Sequence, residues 1–399
     1  MMTKLAIEGG QPVRTDPLPY GQQWIDGDDI SAVITTLESN FITQGPNIGD
    51  FESSIATYVG AKYAVAFCNG TAALHGACFA AGIGQGDEVI TSPITFLASS
   101  NCVIYQGGKP VFSDIKADTY NIDPDSIRNK ITSKTKAIIA VDFSGQPAEM
   151  DEINHIAKEN GLIVIQDSAH SLGAEYKGAK VGSLADMTMF SFHPVKHITT
   201  GEGGVITTNS QDLYKRLILF RNHGMTRDES MLLKNDGPWY YEMHELGYNY
   251  RMTDLQAALG VSQMSKLDKF IARRRHIAAH YRAAFERMKG LITPAQHGDS
   301  NSSWHLYIVR FKREAFTKDR KEIFEALRAE NLGVNVHYVP VYSQPYYQKL
   351  GYEEAQCTEA ESYYSEAISL PIFPKMKDQD VQDVIKAVNK VYQAYKLEK

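Results

Sequence analysis

Short apolar runs alternate with helical patterns between about residues 50 and 210 of this 399-residue chain. The apolar runs are typical of buried strands: Ala64–Cys68, Glu88–Thr91, Pro110–Ser113, Ala137–Val141, Leu162–Ile165, Met187–Phe192 and Val205–Thr208. Between them, helical patterns cover Thr71–Ala81, Leu97–Tyr105 and Met150–Asn160. Continuous apolar strands that alternate with helices occur where both faces of a sheet are covered. The sequence therefore predicts an α/β fold with a mainly parallel central sheet and helices on both faces.

The C-terminal part of the chain has a different arrangement. A long helical pattern runs from Thr253 to about Met288, and a second region of strands and helices follows it. That region contains two apolar runs and two helical patterns: Trp304–Phe311, Lys318–Glu330, Val334–Tyr338 and Asp378–Tyr395. Because 399 residues exceed the usual size of a single core, we expect two domains. Residues 1–265 would form the large domain, with an N-terminal arm of about residues 1–20, and residues 266–399 a smaller α+β domain.

Composition and charge narrow the class of protein. The net charge is −6, which argues against nucleic acid as the main partner. The N-terminus lacks the layout of a signal peptide, and no apolar run is long enough to span a membrane. The cysteines show no C-x-x-C spacing, and the histidines show no metal-binding pattern. We therefore expect a cytoplasmic enzyme or binding protein without a metal site.

One lysine, Lys196, lies in the segment Ser191–Gly204, whose sequence is SFHPVKHITTGEGG. An apolar strand precedes the lysine and a glycine-rich turn follows it, so backbone on both sides restrains the side chain. A restrained amine is suited to attack an aldehyde, which is how a lysine carries pyridoxal 5′-phosphate (PLP). The alternative is a solvated lysine at the end of a strand. Three other segments supply the remaining parts of a PLP site.

A phosphate-binding turn is predicted at Asn69–Ala73, between the strand that ends at Cys68 and the helix that follows. Helix N-termini present free N–H groups to phosphate. Gly70 would let the backbone approach, Thr71 would add a hydroxyl, and the N–H groups of Thr71 and Ala72 would be free donors. The alternative is an ordinary capped turn of an α/β sheet.

Two further segments are suited to hold the ring of the cofactor. Asp167 follows the strand Leu162–Ile165 at the carboxyl edge of the predicted sheet, where ligands bind in open α/β folds. Its carboxylate could pair with a protonated pyridine nitrogen, and the small Ala169 could lie flat against one ring face. Phe96, just after another strand, could stack on the other face. The alternatives are that Asp167 caps a helix and that Phe96 belongs to the core.

The segment Gly247–Asp254, just before the long helical pattern, places two polar groups among aromatic residues. Asn249 and Arg251 could reach a phosphate or another anionic ligand, and they could equally hold the loop in place. Each of these signals is compatible with a structural role. Their combination and their order along the chain favour a PLP site.

Together these motifs resemble those of the PLP-dependent nucleotide-sugar aminotransferases, which share the aspartate-aminotransferase fold. The similarity extends from the segment Asn40–Pro46 to Ser369–Pro371, and the pattern F-S-F-H-x-x-K-x-x-x-x-G-E-G-G carries most of its specificity. The resemblance implies that Lys196 binds the cofactor covalently and then transfers the proton during catalysis. It also implies that Asp167 binds the pyridine nitrogen.

The same resemblance assigns the other residues of the cofactor site. Phe96 would stack on the ring, Ala169 would pack beneath it, and His170 would lie near its phenolic oxygen. The phosphate would be held by three residues from two segments: Thr71, Ala72 and Ser191. Asn249 would reach the cofactor phosphate of a neighbouring subunit, so the active unit would be a homodimer with active sites shared across the interface.

The resemblance implies an amino transfer from L-glutamate to a keto sugar that is linked to a nucleotide. The segments Phe192–Gly204 and His337–Tyr352 are similar to those of family members in pseudaminic acid biosynthesis, a route to surface polysaccharide sugars. The substrate would then be a UDP-linked 4-keto-6-deoxy-N-acetylhexosamine aminated at C4, and PLP would alternate with pyridoxamine phosphate. The nucleotide sugar would contact four residues that the family pattern indicates: Arg251, His305, His337 and Tyr338.

Three alternatives remain open. The first is an aminotransferase for another nucleotide-linked keto sugar, of the bacillosamine or perosamine type. The second is a PLP sugar dehydratase, although such relatives carry histidine where this chain has Lys196. The third is a non-catalytic regulatory protein with the same fold, which would need neither Lys196 nor Asp167. A Rossmann dehydrogenase is disfavoured because no G-x-G-x-x-G follows the first strand.

Overall fold

The computed structural model describes residues 4–353 and 355–397. The helices are α1 Gly27–Leu37, α2 Pro46–Val59, α3 Gly70–Ala80, α4 Ala98–Tyr105, α5 Pro124–Arg128, α6 Met150–Asn160, α7 Gln211–Arg221, α8 Asp254–Met264, α9 Leu267–Phe285, α10 Arg320–Ala329, α11 Pro345–Lys349, α12 Thr358–Glu366 and α13 Asp378–Tyr395. The strands are β1 Tyr63–Phe67, β2 Glu88–Thr91, β3 Lys109–Phe112, β4 Thr135–Val141, β5 Ile163–Asp167, β6 Glu175–Tyr176, β7 Ala179–Lys180, β8 Met187–Ser191, β9 Gly204–Thr208, β10 Met225–Thr226, β11 Glu242–Met243, β12 Leu291–Ile292, β13 Ser300–Asn301, β14 Tyr307–Phe311 and β15 Ala367–Leu370.

A seven-stranded sheet lies at the centre, in the order β1-β9-β8-β5-β4-β2-β3. The pairs β2–β3, β2–β4, β4–β5 and β5–β8 are parallel, whereas β9 runs antiparallel to both β8 and β1. With a single reversed strand the sheet is mainly parallel, so the predicted α/β class is confirmed. The carboxyl ends of the other strands meet at one edge, which is where ligands bind in such folds.

Alternate residues of each strand point to opposite faces of the sheet. In β1, Val65 and Phe67 pack into an apolar cluster with α3, α4 and α7, whereas Ala64 and Ala66 pack on the other face with α2, α8 and α9. A buried Val or Phe side chain stabilises the fold by about 1.5–3 kcal/mol relative to an exposed one. The prediction that helices cover both faces is therefore confirmed.

The C-terminal residues form a second, three-stranded antiparallel sheet in the order β12-β14-β15. Helices α10 and α13 pack on it, and Leu5 and Leu18 from the N-terminal segment join the same apolar cluster. The buried Glu330 accepts hydrogen bonds from the N–H groups of Ala6 at 2.9 Å and Val13 at 2.8 Å. The N-terminal segment is thus anchored on the C-terminal region. The division into two domains at residue 265 stays a prediction. Strand β13 of the predicted small domain pairs with β6 of the predicted large domain, so the two parts share one small sheet.

The predicted long helix from Thr253 is wrong in extent, because it divides into α8 and α9. The two helices meet at Ser265 and Lys266, where the sequence contains neither glycine nor proline. The Lys266 amine forms ion pairs with Asp26 and, at 2.9 Å, with the buried Asp29. These tertiary contacts fix the junction, which explains why local sequence does not reveal it.

The predicted strand Val334–Tyr338 is wrong. Its backbone pairs at Asn335, which exchanges hydrogen bonds with Ser369 at 3.2 and 2.8 Å. Beyond that point the chain leaves the sheet and runs along the wall of a central cavity, where His337 and Tyr338 lie. The apolar character of this segment therefore reflects a cavity wall and not a strand.

Candidate active site

A cavity of about 820 Å³ opens at the carboxyl edge of the central sheet. The end of β5, the turn after β8 and the N-terminus of α3 all contribute to its wall. It brings together most of the residues that the sequence predicts: Gly70, Thr71, Ala72, Phe96, Asp167, Ala169, His170, Ser191, Lys196, His305, His337 and Tyr338. Asn249 and Arg251 do not belong to the cavity wall of the described chain.

Lys196 lies in a compact turn between β8 and β9. Its N–H donates to the carbonyl of His193 at 2.9 Å, and the Thr199 hydroxyl donates to the carbonyl of Phe192 at 2.9 Å. Thr199 Oγ1 also accepts the N–H of Gly201 at 2.9 Å, which closes the turn. Hydrogen bonds on both sides thus fix the backbone that carries the lysine.

The amine of Lys196 is desolvated although part of its side chain faces the cavity. Burial lowers the pKa of Lys196 to about 8, with the Asp167 carboxylate opposing this shift and the positive charge of Arg274 adding to it. A lysine with this pKa has a substantial neutral fraction near neutral pH. The neutral amine is the form that attacks an aldehyde.

The carboxylate of Asp167 is buried at the end of β5. It accepts hydrogen bonds from the Ser99 hydroxyl at 2.6 Å and from the N–H of Ala169 at 3.1 Å. Burial raises the pKa of Asp167, while these hydrogen bonds and the charge of Lys196 lower it. No helix begins at Asp167, so the alternative of a helix cap is wrong. A protonated pyridine nitrogen would provide the adjacent cation that stabilises a buried carboxylate.

A second buried carboxylate, Asp142, supports this segment and was missed by sequence reasoning. It accepts hydrogen bonds from the side chains of Gln166, Ser168 and Ser171 at 2.9, 2.8 and 2.6 Å. Burial raises the pKa of Asp142 to about 6, and the hydrogen bonds oppose that rise. The network holds the residues on both sides of Asp167 in place.

The N-terminus of α3 forms a cradle for an anion. The Asn69 side chain caps the helix and accepts the N–H of Ala72 at 2.8 Å. The N–H of Ala72 is therefore not free, contrary to the prediction, because the cap uses it. The N–H groups of Gly70 and Thr71 have no acceptor among the described residues. These two donors and the hydroxyls of Thr71 and Ser191 are suited to a phosphate group.

Two glycines allow the backbones to approach each other at this cradle. A Cβ atom on Gly204 would lie 2.5 Å from the carbonyl oxygen of Asn69. A Cβ atom on Gly70 would lie 3.2 Å from the Cβ of Ser191. Strand β9 therefore packs directly against the first turn of α3 because residue 204 has no side chain.

Phe96 extends into the cavity with 59 % of its surface exposed, so the alternative that it belongs to the core is wrong. Its ring centroid lies 6.2 Å from that of Tyr338. Ala169 also faces the cavity, and its N–H is held by Asp167. An exposed aromatic ring and a small residue at one cavity are suited to a planar ligand ring.

Three buried histidines pack beside the lysine turn. The ring centroids of His170 and His305 are 4.3 Å apart, and those of His197 and His305 are 5.6 Å apart. Burial lowers the pKa of each well below 6.5, and nearby cations add to this effect. The Ser144 N–H donates to Nδ1 of His170 at 3.3 Å, so the neutral ring carries its proton on Nε2, 3.4 Å from the Tyr338 hydroxyl. All three rings are therefore uncharged at neutral pH.

Asn249 and Arg251 hold their own loop within one chain. Arg251 Nη1 donates to the side-chain oxygen of Asn222 at 2.5 Å, and Asn249 pairs with Asn222 through a backbone bridge. These contacts agree with the alternative that the two residues hold the loop in place. The predicted reach of Asn249 to a neighbouring subunit's cofactor stays a prediction.

Several cavity residues received no role of their own from sequence reasoning, although some lie in the predicted segments: Tyr20, Asn69, Thr95, Tyr105, Glu202, Tyr250 and Asn335. Tyr20 and Asn335 lie more than 300 positions apart along the chain, so no local motif links them. Asn69 belongs to the predicted turn Asn69–Ala73, and its role as the cap could have been predicted because asparagine is a preferred N-cap residue.

Residues 23–389 match the DegT/DnrJ/EryC1/StrS aminotransferase family. The chain belongs to this family. The aminotransferase is 44 % identical over 376 residues to the spore coat polysaccharide biosynthesis protein SpsC of Bacillus subtilis, with 94 % of this chain and 97 % of that protein covered. It is 38 % identical over 370 residues to a Campylobacter jejuni protein named UDP-4-amino-4,6-dideoxy-N-acetyl-β-L-altrosamine transaminase, with 92 % and 95 % covered.

Solved structures of aminotransferases share the fold. An aminotransferase of pseudaminic acid biosynthesis from Helicobacter pylori matches with a TM-score of 0.89 and 33 % identity, over 95 % of this chain and all of that one. The PLP form of a sugar aminotransferase from Streptococcus pneumoniae matches with a TM-score of 0.88 and 31 % identity, over 95 % of this chain and 99 % of that one. The predicted aspartate-aminotransferase-like fold and the PLP dependence of this aminotransferase are thereby confirmed.

The residues of the cavity fit the cofactor. Free N–H groups at the start of α3 fit a phosphate, the Asp167 carboxylate fits a protonated ring nitrogen, and the Lys196 amine fits an aldehyde. When bound, PLP supplies that aldehyde and a ring that accepts electrons from the substrate carbon. Of the helices in residues 4–353 and 355–397, none is long and apolar enough to cross a membrane.

Proposed function

We propose that this aminotransferase moves the amino group of L-glutamate to C4 of a UDP-linked 4-keto-6-deoxy-N-acetylhexosamine. The products would be UDP-4-amino-4,6-dideoxy-N-acetyl-β-L-altrosamine and 2-oxoglutarate, a step of pseudaminic acid biosynthesis. The observation that carries the proposal is the cavity that combines a desolvated Lys196 amine with a buried Asp167 carboxylate. The names of the Campylobacter and Helicobacter relatives support this particular sugar.

Lys196 is the residue that moves the proton in this proposal. With a pKa of about 8, its amine both accepts and releases a proton near neutral pH. In the first half-reaction it would take the proton from the glutamate carbon that carries the amino group. In the second half-reaction it would deliver a proton to the sugar carbon that receives the amino group. Because one cavity serves glutamate and the keto sugar in turn, we expect ping-pong kinetics.

Asp167 keeps the ring nitrogen protonated in this proposal. Its two hydrogen bonds, from Ser99 and from the Ala169 N–H, hold the carboxylate in one orientation. A carboxylate fixed in this way favours the protonated ring, which is the better electron acceptor. Phe96, Ala169 and His170 would position the ring, and the first turn of α3 with Ser191 would hold the phosphate.

The nucleotide sugar carries a diphosphate, which needs positive or N–H partners. His305, His337 and Tyr338 line the cavity, and burial lowers the pKa of His337 to about 3, so this imidazole is a neutral partner. Lys196 is the only lysine or arginine in the cavity wall of the described chain. A cation for the diphosphate would therefore come from outside this wall, and Arg251 of a second subunit is our candidate.

We propose a homodimer in which Asn249 and Arg251 of one subunit reach the site of the other. Helix α1 supports an interface, because it exposes Ile30, Ile34 and Leu37 along one stripe. The exposed Phe41 and Ile42 continue this apolar surface beyond the helix. Contiguous exposed apolar surface marks an interaction site.

We also propose that the enzyme works in the reducing cytoplasm, because all four cysteines are free. Cell fractionation would test this localisation.

A second candidate is amination of another nucleotide-linked keto sugar, of the bacillosamine or perosamine type. The Bacillus subtilis relative, named for spore coat polysaccharide biosynthesis, is more similar at 44 % identity than the altrosamine transaminase at 38 %. A PLP sugar dehydratase is less favoured because Lys196 is present. A non-catalytic regulatory role is less favoured because such a protein would need neither Lys196 nor Asp167, and both line the cavity.

The test is mass spectrometry and NMR of the products from a panel of UDP- and dTDP-linked keto sugars, with glutamate as the donor. We expect the UDP-linked 4-keto-6-deoxy sugar to be aminated at C4 with one equivalent of 2-oxoglutarate formed. Amination at C3, or preference for a dTDP sugar, would contradict the proposed substrate but would still be consistent with an aminotransferase. Release of ammonia without glutamate would indicate a dehydratase, and a protein without bound PLP would indicate a regulatory role.

A further inference from the structure

Arg274, on α9, is fully buried and forms no ion pair with a carboxylate in the described chain. Burial lowers the pKa of Arg274 to about 9, and no neighbouring anion opposes this effect. A buried charge without a counter-ion is strongly unfavourable. Arginine at this position therefore calls for an explanation beyond packing.

Backbone carbonyl groups take the place of a counter-ion. Arg274 Nη1 donates to the carbonyl oxygens of Ile372, His305 and Trp304 at 2.9, 3.1 and 3.2 Å. Its Nη2 donates to the carbonyl of Val195 at 3.5 Å. These acceptors belong to three separate segments, one after β15, one before β14, and the lysine turn. A single guanidinium thus connects three parts of the chain around the cavity.

Two of these acceptors are adjacent to functional groups. Val195 directly precedes Lys196, and His305 lines the cavity. The planar guanidinium presents several N–H donors in fixed directions, whereas a lysine amine offers a single point of charge. Arginine can therefore bind these carbonyls together, and lysine cannot.

Several other titratable groups are electrostatically linked to Lys196 and Arg274, directly or through His197: Asp167, His170, His197, Arg275, His305 and His337. Burial keeps the histidines neutral, and Arg275 acts on His197. The charges that act directly on the amine are therefore Asp167, which favours the ammonium, and Arg274, which disfavours it.

We propose that Arg274 is a positioning residue for Lys196. Its guanidinium holds the lysine turn against the Trp304–His305 segment, and its positive charge favours the neutral amine. This rests on the proposed function in one respect, namely that Lys196 is the reacting amine. Nothing in it depends on the identity of the sugar.

The charge is tested with the full-length protein after removal of PLP, by reaction with acetic anhydride over a range of pH. Peptide mass spectrometry then gives the pH at which half of Lys196 is acetylated. We expect R274Q to move this midpoint upward by about one pH unit, because the amine loses a repelling charge. Return of PLP absorbance on adding the cofactor back shows that the protein used is native.

The matched control is R273Q. Arg273 neighbours Arg274 on the same helix and donates to a backbone carbonyl, that of Met376, at 2.7 Å. It is paired with the exposed Asp378 at 2.7 Å, so it is neither buried nor directed at the lysine turn. We expect no shift of the midpoint in R273Q. An unchanged midpoint in R274Q, or an equal shift in R273Q, would overturn the proposal.

The variant R274K keeps the positive charge and tests the geometry of the guanidinium. If R274Q does not fold, R274K still tests whether Arg274 positions the lysine turn. We expect amide hydrogen exchange of residues 193–200 to rise by about threefold or more in R274K, with no rise in R273K. Unchanged exchange in R274K would overturn the proposal. Neither measurement uses a sugar substrate, so a failed sugar assay and a failed role of Arg274 give separate results.

Discussion

At Lys196 burial and the charge of Arg274 lower the pKa to about 8, and at Asp167 burial raises the pKa. Both shifts have the same physical origin, since removal of water disfavours the charged form of each group. The amine becomes reactive at neutral pH, and the carboxylate gains from any cation placed next to it. Lys196 and Asp167 are thus suited to a ligand that carries an aldehyde and a protonated ring.

Replacement of Lys196 by alanine is expected to abolish covalent cofactor binding and turnover, because no other lysine lines the described cavity. Borohydride reduction followed by peptide mass spectrometry would show whether the cofactor is attached to the Lys196 peptide. The exposed Lys234→Ala serves as a control and should retain full labelling and activity. Activity of Lys196→Ala at the wild-type level would refute the assignment.

Asp167→Asn should retain bound cofactor and lower turnover by about a hundredfold or more, because a neutral amide does not keep the ring nitrogen protonated. Ser99→Ala removes the 2.6 Å hydrogen bond to the Asp167 carboxylate, and we expect a smaller loss of about tenfold. Turnover measured at equal cofactor occupancy, checked by absorbance, compares the two variants. Near-normal turnover of Asp167→Asn would count against its role.

The lowered pKa of Lys196 also predicts a pH dependence of stability in the protein without PLP. Between the folded pKa of about 8 and the ordinary value of 10.5, the unfolded chain binds one more proton than the folded chain at this residue. Stability therefore rises with pH in this window, by up to about 3 kcal/mol for this group. Urea unfolding of wild type and Lys196→Met at several pH values measures this effect: the stability of the wild type relative to Lys196→Met should rise as pH rises from 8 to 10.5. A constant difference would show that the amine is not desolvated.

At the scale of elements, the site depends on how closely β9 packs against the first turn of α3. The turn that carries Lys196 ends at Gly204, where a Cβ atom would lie 2.5 Å from the carbonyl oxygen of Asn69. The same carbonyl belongs to the residue that caps α3. A shift of β9 would therefore move the lysine turn and the phosphate cradle together.

Gly204→Ala is accordingly expected to lower the free energy of unfolding by about 1–3 kcal/mol, because a methyl group is forced into a filled space. It should also weaken PLP binding by about tenfold, since the free N–H groups of the α3 turn are displaced. Gly49→Ala is the control, because Gly49 lies in α2 with nothing near its Cβ position and should be neutral or slightly stabilised. Urea unfolding and equilibrium dialysis of PLP measure the two effects, and an unaffected Gly204→Ala would show that β9 can move freely.

At the scale of the whole molecule, the cavity is assembled from distant parts of the chain. Tyr20 from the N-terminal segment and Asn335 and His337 from the C-terminal part share its wall with the sheet edge. The Tyr20 carbonyl accepts the N–H of Ile372 at 3.1 Å, which ties the two ends of the chain together. In the proposed homodimer, a second subunit would contribute further residues to the same cavity.

Mixing of two inactive variants tests the shared active site. Lys196→Ala and Asn249→Ala each lack one component of the proposed site, and a mixed dimer would contain one complete site. After refolding of an equal mixture we expect about a quarter of wild-type activity, because half of the dimers are mixed and each has one of two sites intact. Light scattering would measure whether the protein is a dimer, as the proposal requires. Activity no higher than that of the separate variants would contradict sharing of Asn249 across the interface.

Local sequence determined the alternating strands and helices, the glycine-rich lysine turn, and the positions of Lys196, Asp167 and Gly70 at strand ends. It could do so because periodicity defines which side chains are buried, and because residues that follow parallel strands must meet at one sheet edge. Tertiary structure alone decided the hydrogen bond from Ser99 to Asp167, the carbonyl contacts of Arg274, and the division of the long helix. These depend on single contacts between residues far apart in the chain, which leave no mark on neighbouring positions.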